Sequence, residues 1–238
     1  MAVIISDIHG SILNVQKFLA YEPQEQHVCL GDIVDSRGRN KLTFEEEVAC
    51  LDLLLNSPTI LLWGNHDLAY LPERPWRCYG NFSEMAFRDR YQTARSKFAA
   101  AYAADGWLCT HAGVSPKLAK LIPTSVIAGG AEAIAEWLCV EFERELVVAD
   151  PDILRGGTRY GKGPLFQIPV CRGGYQEFGG IFWHDAGGEQ RLPSPLVRQI
   201  FGHSPDVEPI RGETWINLDT YDGEAWIYNT KTDAIIRL

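Results

Sequence analysis

Val28-Cys29-Leu30-Gly31-Asp32-Ile33-Val34-Asp35 is a short apolar run that breaks off at a glycine and delivers two carboxylates in quick succession. The same form recurs along the chain. Residues 2–5 run into Ser6-Asp7-Ile8-His9-Gly10, and residues 59–63 into Gly64-Asn65-His66-Asp67. Residues 107–109 run into Thr110-His111-Ala112-Gly113, and residues 199–201 into Gly202-His203-Ser204. Runs this short, rich in Val and Ile and bounded by Gly, read as buried strands. Being apolar on both faces, they belong inside a sheet covered on both sides.

Helical patterns alternate with them. Residues 11–21 place Ile12, Val15, Phe18 and Leu19 along one side. Residues 43–55 open with a Thr43–Glu46 capping-box pattern and carry Phe44, Val48, Leu51, Leu54 and Leu55 on one stripe. Residues 83–104 and 131–148 also read as helices. The resulting alternation of strand and helix predicts an α/β layered fold. Residues 155–188 differ: they are dense in Gly and hold Arg155, Arg159, Lys162 and Arg172. They read as an excursion over a site within a single domain spanning residues 1–238, because apolar strands resume afterwards. Residues 214–218, 224–228 and 234–238 read as strands whose hairpins complete a second sheet.

Composition narrows the partners. The 238 residues are 46% hydrophobic and 22% charged, values of an ordinary globular chain. Acidic residues number 31 against 22 basic, a net charge of −9 that argues against duplex nucleic acid. No apolar run approaches the roughly 20 residues needed to cross a bilayer. No pair of the six cysteines forms a CxxC motif, so a zinc finger is not expected. The first residues run straight into Asp7 and His9 without a basic flank, which speaks against a secretory signal and for the cytoplasm.

In open α/β sheets, ligands gather beyond the carboxyl ends of the strands. Here those ends supply Asp7, His9, Asp32, Asp35, Asn65, His66, His111 and His203. Each motif alone has an ordinary explanation: Asp-x-His and Gly-Asp are common in turns, and Asn65 suits a left-handed backbone position. Their conjunction does not, since four of the six histidines sit at strand ends among Asp, Asn and Gly. Oxygen donors mixed with imidazoles suit Mn²⁺, Fe or Zn²⁺. One ion takes about four such ligands. The surplus points to two ions roughly 3.5–4 Å apart, bridged by Asp32.

Asp7-Ile8-His9, Gly31-Asp32-Ile33-Val34-Asp35, Gly64-Asn65-His66-Asp67, His111-Ala112-Gly113 and Gly202-His203, in this order, resemble the calcineurin-like metallophosphoesterase superfamily. The resemblance is strongest to its phosphoprotein phosphatase branch and extends to Asn217-Leu218-Asp219-Thr220. It implies a four-layer αββα sandwich of two mixed β-sheets flanked by helices. It places a first metal on Asp7, His9 and Asp32, and a second on Asp32, Asn65, His111 and His203. It makes His66 the proton donor to the leaving group and Asp35 the carboxylate that orients it. Other branches end in Gly-His-x-His; Pro205 at that position favours the phosphatases. The branch sets Arg directly after the second Asp of Gly-Asp-x-x-Asp. Here Ser36 intervenes, and Arg37 becomes the candidate for phosphate binding. Trp183-His184-Asp185 lacks a second arginine that the branch carries, leaving Arg155, Arg159, Arg172 and Arg191 as substitutes.

These residues predict a metal-dependent phosphoric monoester hydrolase, specifically a serine/threonine protein phosphatase of bacterial type. Two divalent ions, Mn²⁺ by preference, would give a metal-bridging hydroxide that attacks phosphorus. The expected substrate is a phosphorylated protein or a small phosphate ester. A dinucleoside-polyphosphate (diadenosine tetraphosphate) hydrolase is the alternative; Trp76, Tyr79, Tyr160, Tyr175 and Trp183 are available to stack on adenine. A non-catalytic scaffold would have lost ligands, and all six are present.

Overall fold

Each apolar run forms a strand because both of its faces find apolar neighbours. In β1 (Ala2–Ile5), Ala2 and Ile4 join a cluster shared by two sheets, while Val3 and Ile5 join a cluster shared with helices. The computed structural model describes residues 1–37, 41–71, 81–82, 86–147, 163–190 and 192–238. The first sheet runs, edge to edge, β11 (Ala234–Arg237), β10 (Trp226–Asn229), β1, β2 (Gln26–Cys29), β3 (Ile60–Leu62) and β4 (Phe98–Ala99). From β1 to β4 the strands are parallel, and β10 and β11 are antiparallel additions. The second sheet runs β5 (Tyr102–Ala104), β6 (Trp107–Cys109), β7 (Gln199–Phe201), β9 (Trp215–Asn217) and β8 (Ile210–Arg211).

Ala2, Ile4, Val28 and Leu62 of the first sheet meet Trp107, Cys109, Ile200 and Ile216 of the second. Helices close the outer faces. On the first sheet, α1 (Ile12–Ala20) and α2 (Phe44–Leu55) bury Val15, Phe18, Cys50, Leu51 and Leu54. The capping box of α2 forms as expected: Glu46 N–H donates to Thr43 Oγ1 at 3.3 Å, and Thr43 N–H to Glu46 Oε2 at 2.7 Å. α7 (Gly130–Val147) covers β5 and β6 with Ile134, Leu138 and Phe142. The order helix–sheet–sheet–helix is the four-layer αββα sandwich. Among the described residues no helix is long and apolar enough to cross a membrane.

Two expectations need correction. Residues 83–104 are not one helix. Only α4 (Arg88–Thr93) and a 3₁₀ turn at Arg95–Lys97 are helical before β4 and β5 begin, and residues 83–85 lie outside the described residues. The alanines of this stretch favour a helix intrinsically. Tertiary pairing overrides them: Phe98 pairs with Leu61 and stacks on Trp63 at 4.2 Å. The last strands also do not all complete the second sheet. β9 does, but β10 and β11 extend the first sheet beside β1.

Residues 163–190 pack against α7, with Phe166 5.5 Å from Phe142 and 5.4 Å from Phe182 between ring centres. The beginning of the Gly-rich excursion, residues 155–162, lies outside the described residues.

Candidate metal centre

The strand ends converge on one edge of the sandwich. Asp7 and His9 follow β1, Asp32 and Asp35 follow β2, and Asn65 opens α3 (Asn65–Leu68) after β3. His111 follows β6 and His203 follows β7, so both sheets contribute. Asp7, His9, Asp32, Asp35 and His203 all have positive φ, from 46° to 68°. Such backbone costs a non-glycine residue about 1–3 kcal/mol. The strain turns each side chain sharply out of its strand end.

Glycine precedes Asp32, Asn65 and His203 for a steric reason. A Cβ on Gly31 would fall 2.3 Å from the Gly64 nitrogen, and one on Gly64 would fall 2.2 Å from the Asp32 nitrogen. A Cβ on Gly202 would fall 1.9 Å from Asp7 Oδ2. The Gly31 and Gly64 loops therefore touch backbone to backbone, and the Gly202 loop packs on the Ser6 and Asp7 side chains, which brings their ligands within reach of one another. Because backbone rather than a flexible side chain must yield, Gly64→Ala should destabilise the protein by about 1–3 kcal/mol. Urea unfolding should show a lower midpoint with an unchanged slope.

Two further buried carboxylates, Asp67 and Glu47, hold these loops. Asp67 accepts from the N–H groups of Asp32, Ile33 and Gly64 at 2.8, 3.1 and 2.9 Å, and from Tyr91 Oη at 2.6 Å. Burial, then repulsion from Asp32, pushes its pKa up to about 6. Glu47 of α2 accepts from the N–H groups of Asp35 and Ser36 at 2.6 and 2.9 Å. Its signal was present in the sequence. Glu47 interrupts the apolar stripe of Phe44, Val48 and Leu51, where a charge is costly unless hydrogen-bonded.

The imidazoles are oriented from behind. His9 Nδ1 lies 2.7 Å from the Asp35 carbonyl and 3.1 Å from that of Val34. His111 Nδ1 lies 3.0 Å from the Leu30 carbonyl. A carbonyl only accepts, so each Nδ1 carries the proton and each Nε2 presents a lone pair. His9 Nε2 faces Asp7 Oδ1 and Asp32 Oδ2, both at 3.8 Å. His111 Nε2 faces Asn65 Oδ1 at 2.8 Å, His203 Nδ1 at 3.2 Å and Asp32 Oδ2 at 3.5 Å. Burial, then Arg172, lowers the His203 pKa well below that of free histidine, so its ring is neutral.

The donor set fits divalent cations. Asp7, His9 and Asp32 form one group of converging ligand atoms, and Asp32, His111 and His203 form another. His9 Nε2 and Asp32 Oδ2 are buried without a hydrogen-bond partner among the described residues. Lone pairs converging in the interior are stabilised by a positive charge between them, and this donor set could hold a divalent ion there. Asp32 belongs to both groups, so the two sites share it.

A model of the calcineurin-like phosphoesterases matches residues 2–150, more than half the chain and all the motifs from Asp7 to His111. The chain belongs to this family. Calcineurin-like phosphoesterases are metal-dependent hydrolases of phosphate esters. No curated protein matches the sequence. Three similar solved structures are cold-active protein tyrosine phosphatases. One, from a psychrophilic Shewanella species, has a TM-score of 0.59 at 13% identity over 99% of this chain and 76% of that one. A single-site mutant gives 0.60 at 13% identity with the same coverage, and a further structure gives 0.58 at 13% over 100% and 78%. Likeness at this identity concerns the fold.

The remaining residues of this phosphoesterase lie around the ligands. His66 Nδ1 is 2.9 Å from Asp35 Oδ2, its backbone N–H donates to Asp32 Oδ1 at 2.9 Å, and its side chain is 23% exposed. Burial opposes its charge, but Asp32 and the Asp35 hydrogen bond outweigh that and push its pKa up to about 9. Asp35 also accepts from Tyr70 Oη at 2.7 Å and Asn81 N–H at 2.8 Å on its other oxygen. Arg37 reaches Asp219 and Asp7. Of the substitute arginines, Arg172 donates to the His203 carbonyl at 3.1 Å and to Asp185 at 2.7 Å. Arg155, Arg159 and Arg191 lie outside the described residues, as do Trp76, Tyr79 and Tyr160. Trp183 packs edge-on against His203 at 5.5 Å, and Tyr175 is exposed. His184 is buried, facing Glu189 at 3.0 Å.

Proposed function

We propose that the protein hydrolyses phosphoric monoesters and that its substrates are phosphorylated proteins, with phosphoserine and phosphothreonine as the favoured side chains. The observation that carries this reading is the shared Asp32 carboxylate between two ligand groups, with protonatable His66 beside it. Asp7, His9 and Asp32 would hold one ion, and Asp32, Asn65, His111 and His203 the other. The mixture of carboxylate oxygens and imidazoles favours Mn²⁺, with Fe and Zn²⁺ as competitors. When bound, such ions supply charge neutralisation for phosphate oxygens and acidify water.

The chain's own groups do the rest. His66 has one ring nitrogen on Asp35 and is no member of either ligand group. Its other nitrogen donates the proton that the departing alkoxide needs. Asp35 holds the ring in place, keeps the donor nitrogen outward and favours imidazolium. Arg37, about a third exposed, binds a phosphate oxygen at the mouth. No covalent phosphoenzyme is required, so no serine or cysteine is assigned an attacking role.

An acid with a raised pKa keeps its proton through neutrality and loses it on the alkaline side. Activity should therefore fall as pH rises toward the His66 pKa. Asp35→Asn removes the hydrogen-bonded anion, so the alkaline limb of kcat/KM should move to lower pH. An unshifted limb would detach Asp35 from His66.

The test of the reading is substrate comparison. Purified protein with Mn²⁺ should hydrolyse p-nitrophenyl phosphate and lose that activity to a chelator. Turnover on a phosphoserine or phosphothreonine peptide should exceed that on phosphotyrosine peptide and on diadenosine tetraphosphate. Preference for the dinucleotide would replace the protein substrate; silence with every divalent ion would replace the enzyme.

A further inference from the structure

Arg37 is held between two carboxylates. Its guanidinium donates to Asp219 Oδ1 at 2.8 Å and to Asp7 Oδ1 at 3.1 Å. The two oxygens of Asp7 have different duties. Oδ2 accepts from the His203 N–H at 3.0 Å and from the Ser6 hydroxyl. Oδ1 is the one that faces His9 Nε2, at 3.8 Å. Arg37 therefore sits on the oxygen that an ion at the first position needs.

Asp219 arrives from the other sheet. It lies just beyond β9, is 2% exposed, and is fixed through its backbone: Asp206 N–H donates to its carbonyl at 3.2 Å. Its Oδ2 is buried with no hydrogen-bond partner among the described residues. A buried carboxylate persists when a cation compensates it, and Arg37 supplies that charge. A divalent ion and a guanidinium on one Asp7 oxygen would repel each other within a few ångströms. An ion at that position would displace Arg37 from Asp7, whereas the bond from Arg37 to Asp219 involves no atom of the ligand group.

We propose that Asp219 is the positioning residue for Arg37: it retains the guanidinium at the mouth when an ion takes Asp7, so that Arg37 turns from counter-charge of the ligands into a phosphate-binding group. The proposal rests on the phosphomonoesterase reading and adds a residue to it.

The test joins a metal titration to kinetics. Calorimetric titration of chelator-stripped protein with MnCl₂ should show Arg37→Gln binding Mn²⁺ about tenfold more tightly than wild type. Simple loss of structure would weaken binding. With p-nitrophenyl phosphate as substrate and inorganic phosphate as inhibitor, Asp219→Asn should raise KM and the phosphate inhibition constant about tenfold, with kcat within about threefold. The double variant should be no worse in KM than Arg37→Gln alone. Unchanged or weaker Mn²⁺ binding by Arg37→Gln overturns the proposal, as do KM effects that multiply in the double variant. Arg37 is partly exposed, so its titration decides even if Asp219→Asn fails to fold. A wild type that neither binds Mn²⁺ nor hydrolyses the ester sinks both this role and the function. A wild type that does both, with variants that match it, sinks the role alone.

Discussion

Asp32→Asn should cost the enzyme on the order of 10³-fold or more in Mn²⁺-dependent hydrolysis of p-nitrophenyl phosphate, the scale of losing a central electrostatic group. Asp32 Oδ2 lies 3.8 Å from His9 Nε2 and 3.5 Å from His111 Nε2, so one oxygen serves both ligand groups. An amide keeps the shape and still offers an oxygen to the His66 N–H. It removes the negative charge and halves the oxygen donors. The fold should not suffer. Asp32 sits among buried carboxylates and repels Asp67, so the metal-free variant should melt at the same temperature as wild type or above it. Calorimetry with MnCl₂ would show weakened binding in the same sample. Near-normal turnover would remove the bridge.

His66→Asn should leave Mn²⁺ binding intact and slow turnover by about 10²–10⁴-fold, the range of general acid assistance. The loss should grow as the leaving group becomes more basic. p-Nitrophenolate departs without help, whereas an alkoxide such as that of serine needs a proton. A plot of rate against leaving-group pKa should therefore steepen in the variant. The prediction depends on His66 lying beside Asp35 and outside both ligand groups. If the variant instead loses bound metal, His66 is a ligand and the proton donor lies elsewhere.

The strand ends were legible because an apolar run that stops at glycine before Asp or His records burial and exposure at neighbouring positions. The sandwich brings Asp7, His9, Asp32, Asn65, His111 and His203 together at those ends. What the sequence hid was partnership. The pattern of residues 224–228 states that a strand exists, but not that Val3 pairs with Asn229. Residues 98–104 have the composition of a helix and the contacts of two strands. β8, whose residues are exposed, carries no apolar pattern at all. Asp67 follows Gly64-Asn65-His66 and Asp219 follows Asn217-Leu218, yet only three-dimensional proximity shows that Asp67 binds neighbouring loops and Asp219 binds Arg37. Their hydrogen-bond partners are remote in sequence, and a charge by itself does not reveal its partner.

The placing of β1 between β2 and β10 sets a timetable for biosynthesis. On the ribosome, Asp7, His9, Asp32 and Asn65 emerge long before His203. One side of β1 stays an unpaired edge until residue 229 has been made. A nascent chain in that interval exposes a sticky hydrogen-bonding ladder beside a half-assembled anionic nest. The group of Asp32, His111 and His203 is complete only once His203 has been made, and chaperone contact with the growing chain should concentrate on the first strand until β10 pairs beside it.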